Sequence, residues 1–258
     1  PDLASEWDED GDGEPDNYVL ATRPDKMIAA LNSSFDEIEA RTSSASAVAT
    51  NSTRLDTNSK VYQARFSSGT WTGSLLAYNI DSVTGAVDSL AWDAADLIPA
   101  ENNRNIFSFS TQGSGSGVIF EHTNLSTAQQ ALITSAELDY IRGDQTNEGV
   151  TYRTRSQVLG DIINSDPVYA SQDNFDYYEL ELSGGFATYD DYLEDTTYTW
   201  QKGNRTDMIY VGGNDGMLHA FLGEGDESAS CVVAATDCEG EEIFAYIPKS
   251  VIADLPNL

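Results

Sequence analysis

The stretch Met208–Phe221, MIYVGGNDGMLHAF, constrains the fold of this chain more than any other. Ile209–Val211 is β-branched and aromatic, and Met217–Phe221 alternates large and small apolar side chains. Between them stand Gly212, Gly213, Asn214, Asp215 and Gly216, residue types that accept positive φ in hairpin turns. The pattern predicts a strand, a tight turn and a second strand. After an insertion, EEIFAYIPKS (Glu241–Ser250) supplies a third strand that ends in an aromatic residue and a proline. A strand–turn–strand–loop–strand unit of this kind reads as one blade of a β-propeller.

The rest of the composition bounds what such a scaffold can meet. Asp and Glu number 43 against 13 Lys and Arg, a formal charge of -30. Nucleic acid needs a basic face, so it is excluded as a partner. An anionic membrane surface is excluded on the same ground. The charge fits a secreted protein, a saline habitat or a cation-binding surface, with plain solubility as the bland reading. At 40% hydrophobic and 258 residues, the chain can bury a core. No apolar run is long enough for a transmembrane helix, so no membrane insertion is expected. The acidic opening at Pro1 does not read as a signal peptide, and a start without Met reads as a piece of something longer.

The two cysteines, Cys231 and Cys238, lie in the Gly/Ser/Ala/Asp-rich insertion. Their spacing closes a small loop easily, so a local disulfide in an oxidising compartment is expected, with two free thiols as the alternative. Zinc is disfavoured, because the only histidines, His122 and His219, are far from the pair in sequence. Near the start, DEDGDGEPD places Asp8, Asp10, Asp12 and Asp16 at alternating loop positions, with the Glu14 carbonyl suited to a fifth. Hard cations take oxygen ligands from one tight loop, so calcium is the expected cofactor here. Val19 stands where an EF-hand has its bidentate Glu, so the loop resembles the shorter DxDGDGxPD type. A solvated acidic linker is the competing reading.

An amphipathic helix is expected from Pro24 to about Glu39, its stripe formed by Met27, Ile28, Leu31, Phe35 and Ile38. Thr42–Thr57 is rich in Ser, Thr, Ala and Asn and reads as a linker. Lys60–Phe66 and Trp71–Ile80 read as a hairpin, and Thr84-Gly85 turns the chain into Val87–Trp92. Asn105–Ser110 and Val118–His122 are further strands. Two short helices follow, capped by Ser126 (with Gln129 in a capping box) and by Ser135, the second stopped by Gly143. Val158–Ala170 resumes a β pattern, and Asn174–Asp195 reads as a long acidic loop.

Together these segments resemble the PilY1 family of type IV pilus-associated proteins. The carrying blocks are DGDGEPDNYVLA (Asp10–Ala21), VYQARFSSGTWTGSLLAY (Val61–Tyr78) and LDYIRGDQTNEG (Leu138–Gly149). YRTRSQVLGDIINSDPVYA (Tyr152–Ala170), MIYVGGNDGMLHAF and FAYIPKSVIADLPNL (Phe244–Leu258) complete the set. The resemblance implies a mainly β chain: residues 1–41 ending a von Willebrand A-like region, a linker at 42–57, and the first blades of an incomplete, quinoprotein-like β-propeller with short helical insertions at 58–258. It implies an exported protein at the cell surface or pilus tip, active in adhesion and in pilus extension and retraction. Expected partners are minor pilins or the pilus tip, host or abiotic surfaces, and the remainder of its own propeller. The family's propeller calcium site lies beyond this chain and is not carried over.

The competing class is an enzyme, because YVGGNDGMLHAF also resembles repeats of quinoprotein dehydrogenases. Such a site needs cations, carboxylates and a base converging on the propeller axis. Asp215 is better read as a turn residue and His219 as a packing or hydrogen-bonding residue than as a general base. No catalytic residue is therefore assigned. Trp71, Trp92, Tyr169, Tyr210 and Tyr246 read as core or blade-interface residues. Tyr177-Tyr178 and Tyr189–Tyr198, set among carboxylates, form the better candidate for an adhesive surface.

Overall fold

The computed structural model describes residues 60–171, 206–224, 231–233 and 238–257, and the backbone of 45–50. The chain divides into two compact units, Pro1–Ser44 with Ser67–Gly69, and Ala45–Phe66 with Thr70–Leu258. The calcium-type loop Asp8–Asp16, the helix after Pro24 and the acidic stretch Asn174–Asp195 lie outside the described residues.

The second unit is mainly β, built on two open sheets. In the first, the spatial order follows the chain order: β1 (Ala45–Thr50), β2 (Lys60–Ser67), β3 (Thr72–Ile80) and β4 (Val87–Asp93). The second runs β6-β5-β10-β9-β8-β7. Its strands are β5 (Ile106–Ser110), β6 (Ser116–Ile119), β7 (Val168–Ala170), β8 (Met208–Gly212), β9 (Leu218–Leu222) and β10 (Glu242–Tyr246). Strands β7 to β10 form an antiparallel meander, and β5 joins β10 in parallel. Neither sheet closes on itself.

Several boundaries differ from the sequence expectation. The passage read as a linker contains β1, which pairs antiparallel with β2 from Ala45↔Arg65 to Thr50↔Val61. The alanines of this stretch carry weak strand propensity, and the ladder of a neighbouring strand decides the outcome. The second helix is capped by Thr134, not Ser135: its side chain accepts from Glu137 N and the Glu137 carboxylate answers at the Thr134 N–H. The Ser126–Gln129 capping box of helix α1 (Thr127–Gln130) forms as read. Helix α2 (Ser135–Arg142) stops at Gly143, whose φ of 123° suits glycine. Of Val158–Ala170, only Val168–Ala170 is strand.

Burial explains the sheet order. One core cluster joins the sheets: Tyr62, Leu75, Ala77 and Trp92 meet Ile209, Val211 and Phe221 over Leu159 and Ile162. A second packs Phe120, Leu125, Ile133, Leu138 and Ile141 on Ile106, Ala245 and Ile247. Met208, Ala220, Leu222 and Cys238 form a third. Strands β8 and β9 are thus covered on both faces, which is why they lack strict polar alternation. Each fully buried Leu, Ile or Phe here contributes about 1.5–3 kcal/mol of transfer free energy. Cys231 and Cys238 are joined by a disulfide, Cα atoms 5.1 Å apart.

Trp71 and Tyr246 depart from their expected burial. Trp71 is 53% exposed and Tyr246 38% exposed, whereas Trp92 is buried. Trp71 sits in the β2–β3 turn with φ 49°, where strand alternation no longer assigns a side chain to the core.

The segment Leu159–Asp161 is clasped between the two sheets. Gly73 N donates to Leu159 O at 2.9 Å, and Gly160 N donates to Asp215 Oδ2 at 3.0 Å. A Cβ on Gly160 would stand 2.6 Å from the Asp215 Cβ and 2.7 Å from its backbone nitrogen. Gly160→Ala is therefore expected to cost about 1–3 kcal/mol in urea unfolding. Gly117→Ala, with open space around it, should stay within about 0.5 kcal/mol of the parent. Equal costs at the two positions would contradict this packing.

Candidate functional site

The site grows out of the turn between β8 and β9. Gly213 N donates to Met217 O and Gly216 takes φ 82°, so the chain reverses sharply. Asp215 fixes the reversal by accepting from Met217 N at 3.1 Å through Oδ1, an Asx-type bond. Asn214 anchors the same turn outward: its backbone N donates to Asp161 O at 2.9 Å and its Nδ2 donates to Asp161 Oδ2 at 2.7 Å. Asp215 is thus the turn residue the sequence indicated, and it does more than turn the chain.

Behind the turn lies a buried row of alternating charges. His219 is 0% exposed. Its Nε2 lies 3.0 Å from Asp215 Oδ2 and its Nδ1 lies 2.7 Å from Glu242 Oε1. Its ring stacks on Phe221. Arg104 Nε and Nη2 clasp Glu242 in a fork, at 2.6 and 2.7 Å. Arg104 Nη1 donates to Arg142 O at 2.7 Å, satisfying a carbonyl at the end of α2. One residue row therefore ties the turn, β9, β10, the approach to β5 and helix α2 together.

Charge and burial oppose each other at each member. Burial alone would lower the His219 pKa, but the Asp215 charge and the bonds to Asp215 and Glu242 raise it to about 9. Burial would raise that of Glu242, but the Arg104 guanidinium first, and His219 with it, hold it at about 2. Asp215 is likewise lowered, its burial overcome by His219. At neutral pH the row is carboxylate, imidazolium, carboxylate, guanidinium. An imidazolium with both N–H groups engaged has no lone pair with which to take a proton, so His219 serves as a structural cation.

A cavity of about 470 Å³ opens in front of this row, lined by Trp71, Tyr140, Arg153, Asp161, Asn214 and Asp215 among others. Tyr140 is covered by the Arg155 guanidinium, 3.8 Å above its ring, and by the stacked Tyr152 ring, 4.5 Å away. Arg155 is itself paired with Glu148 at 2.7 Å. The Cys231 and Cys238 sulfurs and the Glu241 carboxylate also lie together. Sulfurs bonded to each other are not thiolates, and Glu241 accepts from the Val232 and Val233 amides at 2.8 and 3.0 Å. That group is a clamp on the disulfide loop.

Sequence reasoning identified Asp215 and His219 but missed their partners Arg104 and Glu242 and the cavity residues Trp71, Arg153 and Asp161. Nothing in the local sequence around Arg104 or Glu242 marks either residue as buried.

The charge row sets the pH profile. The His219 contribution is complete below pH 6.5 and is lost as pH rises through about 9. The Glu242 contribution is complete above pH 4.5 and is lost as pH falls through about 2. We expect the urea midpoint to decline from near pH 6.5 towards 9, and His219→Gln to flatten that alkaline limb. Glu242→Gln leaves Arg104 without a carboxylate and His219 with Asp215 alone, and should cost about 3–5 kcal/mol at neutral pH. An unchanged alkaline limb in His219→Gln would refute the assignment.

No family model matches the chain, and no solved structure matches it. Curated relatives do match. The chain is 36% identical over 245 residues to the "Type IV pilus biogenesis factor PilY1 homolog" of Xylella fastidiosa, covering 93% of this chain and 18% of that protein. It is 30% identical over 269 residues to the "Type IV pilus biogenesis factor PilY1" of Pseudomonas aeruginosa strain UCBPP-PA14, covering 94% of this chain and 21% of that protein. The strain PAK protein is 29% identical over 272 residues. The chain thus spans about a fifth of the length of these relatives, and over that span it belongs to the PilY1 family.

Proposed function

We propose that this chain is a non-catalytic section of an exported type IV pilus biogenesis factor. The observation that carries the reading is its similarity, over 93% of its length, to a protein so named. The disulfide supports an oxidising compartment outside the cytoplasm. Among the described residues, no helix is long and apolar enough to cross a membrane. In this role the chain works at the cell surface or pilus tip, in contact with minor pilins, and contributes to adhesion and to pilus extension and retraction. The engagement of Asp215 and His219 within the protein supports a structural use of the turn that also resembles quinoprotein repeats.

The two sheets are the first blades of a larger propeller in this reading. The consecutive order β1-β2-β3-β4 and the meander β7 to β10 each have the strand order of a propeller blade. Open edges of this kind need covering, which the remainder of a longer protein would supply. The loop Asp8–Asp16 binds calcium through Asp8, Asp10, Asp12, the Glu14 carbonyl and Asp16, and stiffens the joint with whatever precedes the β unit. Metal neutralises carboxylates that otherwise repel. The tyrosines of Tyr177-Tyr178 and Tyr189–Tyr198 present the adhesive surface.

Two experiments test these statements. Gold-labelled antibody to this chain should decorate the ends of thin pili on source cells in electron micrographs. Label confined to the periplasm, together with quinone absorbance after addition of pyrroloquinoline quinone, would favour the dehydrogenase class instead. Calcium should raise the melting temperature of the parent, and Asp10→Asn with Asp12→Asn should abolish that rise. A parent insensitive to calcium would remove the metal from the account.

A further inference from the structure

We infer that the cavity between Trp71 and Asp161 is a binding site for a neutral carbohydrate. The inference stands on the cavity alone and not on the pilus reading, so either can fail without the other. Its starting point is Trp71. This bulky residue adopts a left-handed backbone, φ 49°, in a turn where glycine would be unstrained, and it presents a 53% exposed indole. The strained turn is held in place. Arg153 donates to Thr70 O and, from Nη1 and Nη2, to Trp71 O at 3.3 and 3.4 Å. These bonds hold the backbone of the turn, and the exposed indole it carries at the cavity is a stacking platform for the apolar face of a sugar ring.

Hydroxyl-binding groups are also present. Asn214 and Asp161 are locked to each other by the bonds from Asn214 N and Nδ2. Among the described residues, the remaining Asp161 oxygen, Oδ1, and the Asn214 amide oxygen accept no bond. The Arg153 Nε likewise donates none. Two acceptors and a donor, on residues that line the same cavity as the indole, match the alternating C–H and O–H surfaces of a pyranose. Tyr140 is not a second platform, because Arg155 and Tyr152 already cover its ring.

Charge narrows the ligand class. Arg155 is answered by Glu148 and Asp215 by His219, which leaves Arg153 and Asp161 to balance each other. The lining is therefore close to neutral, on a chain whose net charge of -30 repels polyanions. A volume of about 470 Å³ accommodates one or two sugar rings.

The test is saturation-transfer NMR on the full 258-residue chain. Probes are the methyl glycosides of glucose, galactose, mannose and N-acetylglucosamine, with lactose and maltose, against adenosine and glucose 6-phosphate. At least one neutral sugar should receive saturation. Trp71→Gly should weaken that binding by about tenfold or more, because the platform is gone. The same variant should keep or raise the urea midpoint of the parent, since glycine accepts the left-handed turn. Trp71→Phe, which keeps a ring, should bind between the two and provides the comparison if Trp71→Gly fails to fold. Absence of transfer to every neutral sugar would overturn the inference. So would binding that survives both substitutions at parental strength, or a preference for adenosine or the phosphorylated sugar.

Discussion

The forked bond between Arg104 and Glu242 is the interaction on which the arrangement of this β unit depends. Both side chains are almost wholly removed from water, at 1% and 0% exposure. Two such charges are tolerated in a core only when their hydrogen-bonding capacity is met on every side. Here Glu242 answers Arg104 and His219, Arg104 also answers the carbonyl of Arg142, and His219 is answered again by Asp215. The row carries no net charge, and its length is what fixes it. Shifting β9 against β10 by one residue would turn His219 away from Glu242 and leave both unmatched.

From that row the geometry of the cavity follows. Asp215 is held from behind by His219, so its other contacts, to Gly160 N and Met217 N, place the turn against Leu159–Asp161. Gly73 and Gly160 then let β3 approach the same segment: a Cβ on Gly73 would lie 2.2 Å from Gly160 O. The sheets are joined through this clasp as well as through the core of Tyr62, Leu75, Phe221 and Ile209. The polar residues of the cavity, Asp161 and Asn214, are by-products of the clasp in position but not in chemistry. A structural turn needs their mutual bond, and a ligand can use the oxygens left over.

The parts of this structure that were legible in the sequence are the local ones. The turn chemistry of Gly213–Gly216 located the β8–β9 hairpin, the Ser126–Gln129 spacing located a capping box, and the Cys231–Cys238 spacing suggested a closed loop. What was not legible depends on distant partners. Arg104 and Glu242 are separated by 138 positions, so neither looks exceptional in its own window. Strand β1 was hidden because its composition is that of a linker and its stability comes from β2. Trp71 was misplaced because aromatic residues are usually buried, and only its turn backbone reveals that it is not.

The most direct test of the central claim is a double-mutant cycle between Asp215 and Arg104. Among the described residues these two share no hydrogen bond; they are linked through His219 and Glu242 and by the charge of Arg104 acting on Asp215. Asp215→Asn, Arg104→Met and the double variant would be unfolded in urea at neutral pH. The account predicts an interaction energy of about 1 kcal/mol or more between the two ends of the row. Additivity within about 0.3–0.5 kcal/mol would mean that the row is a set of independent contacts, and would contradict it.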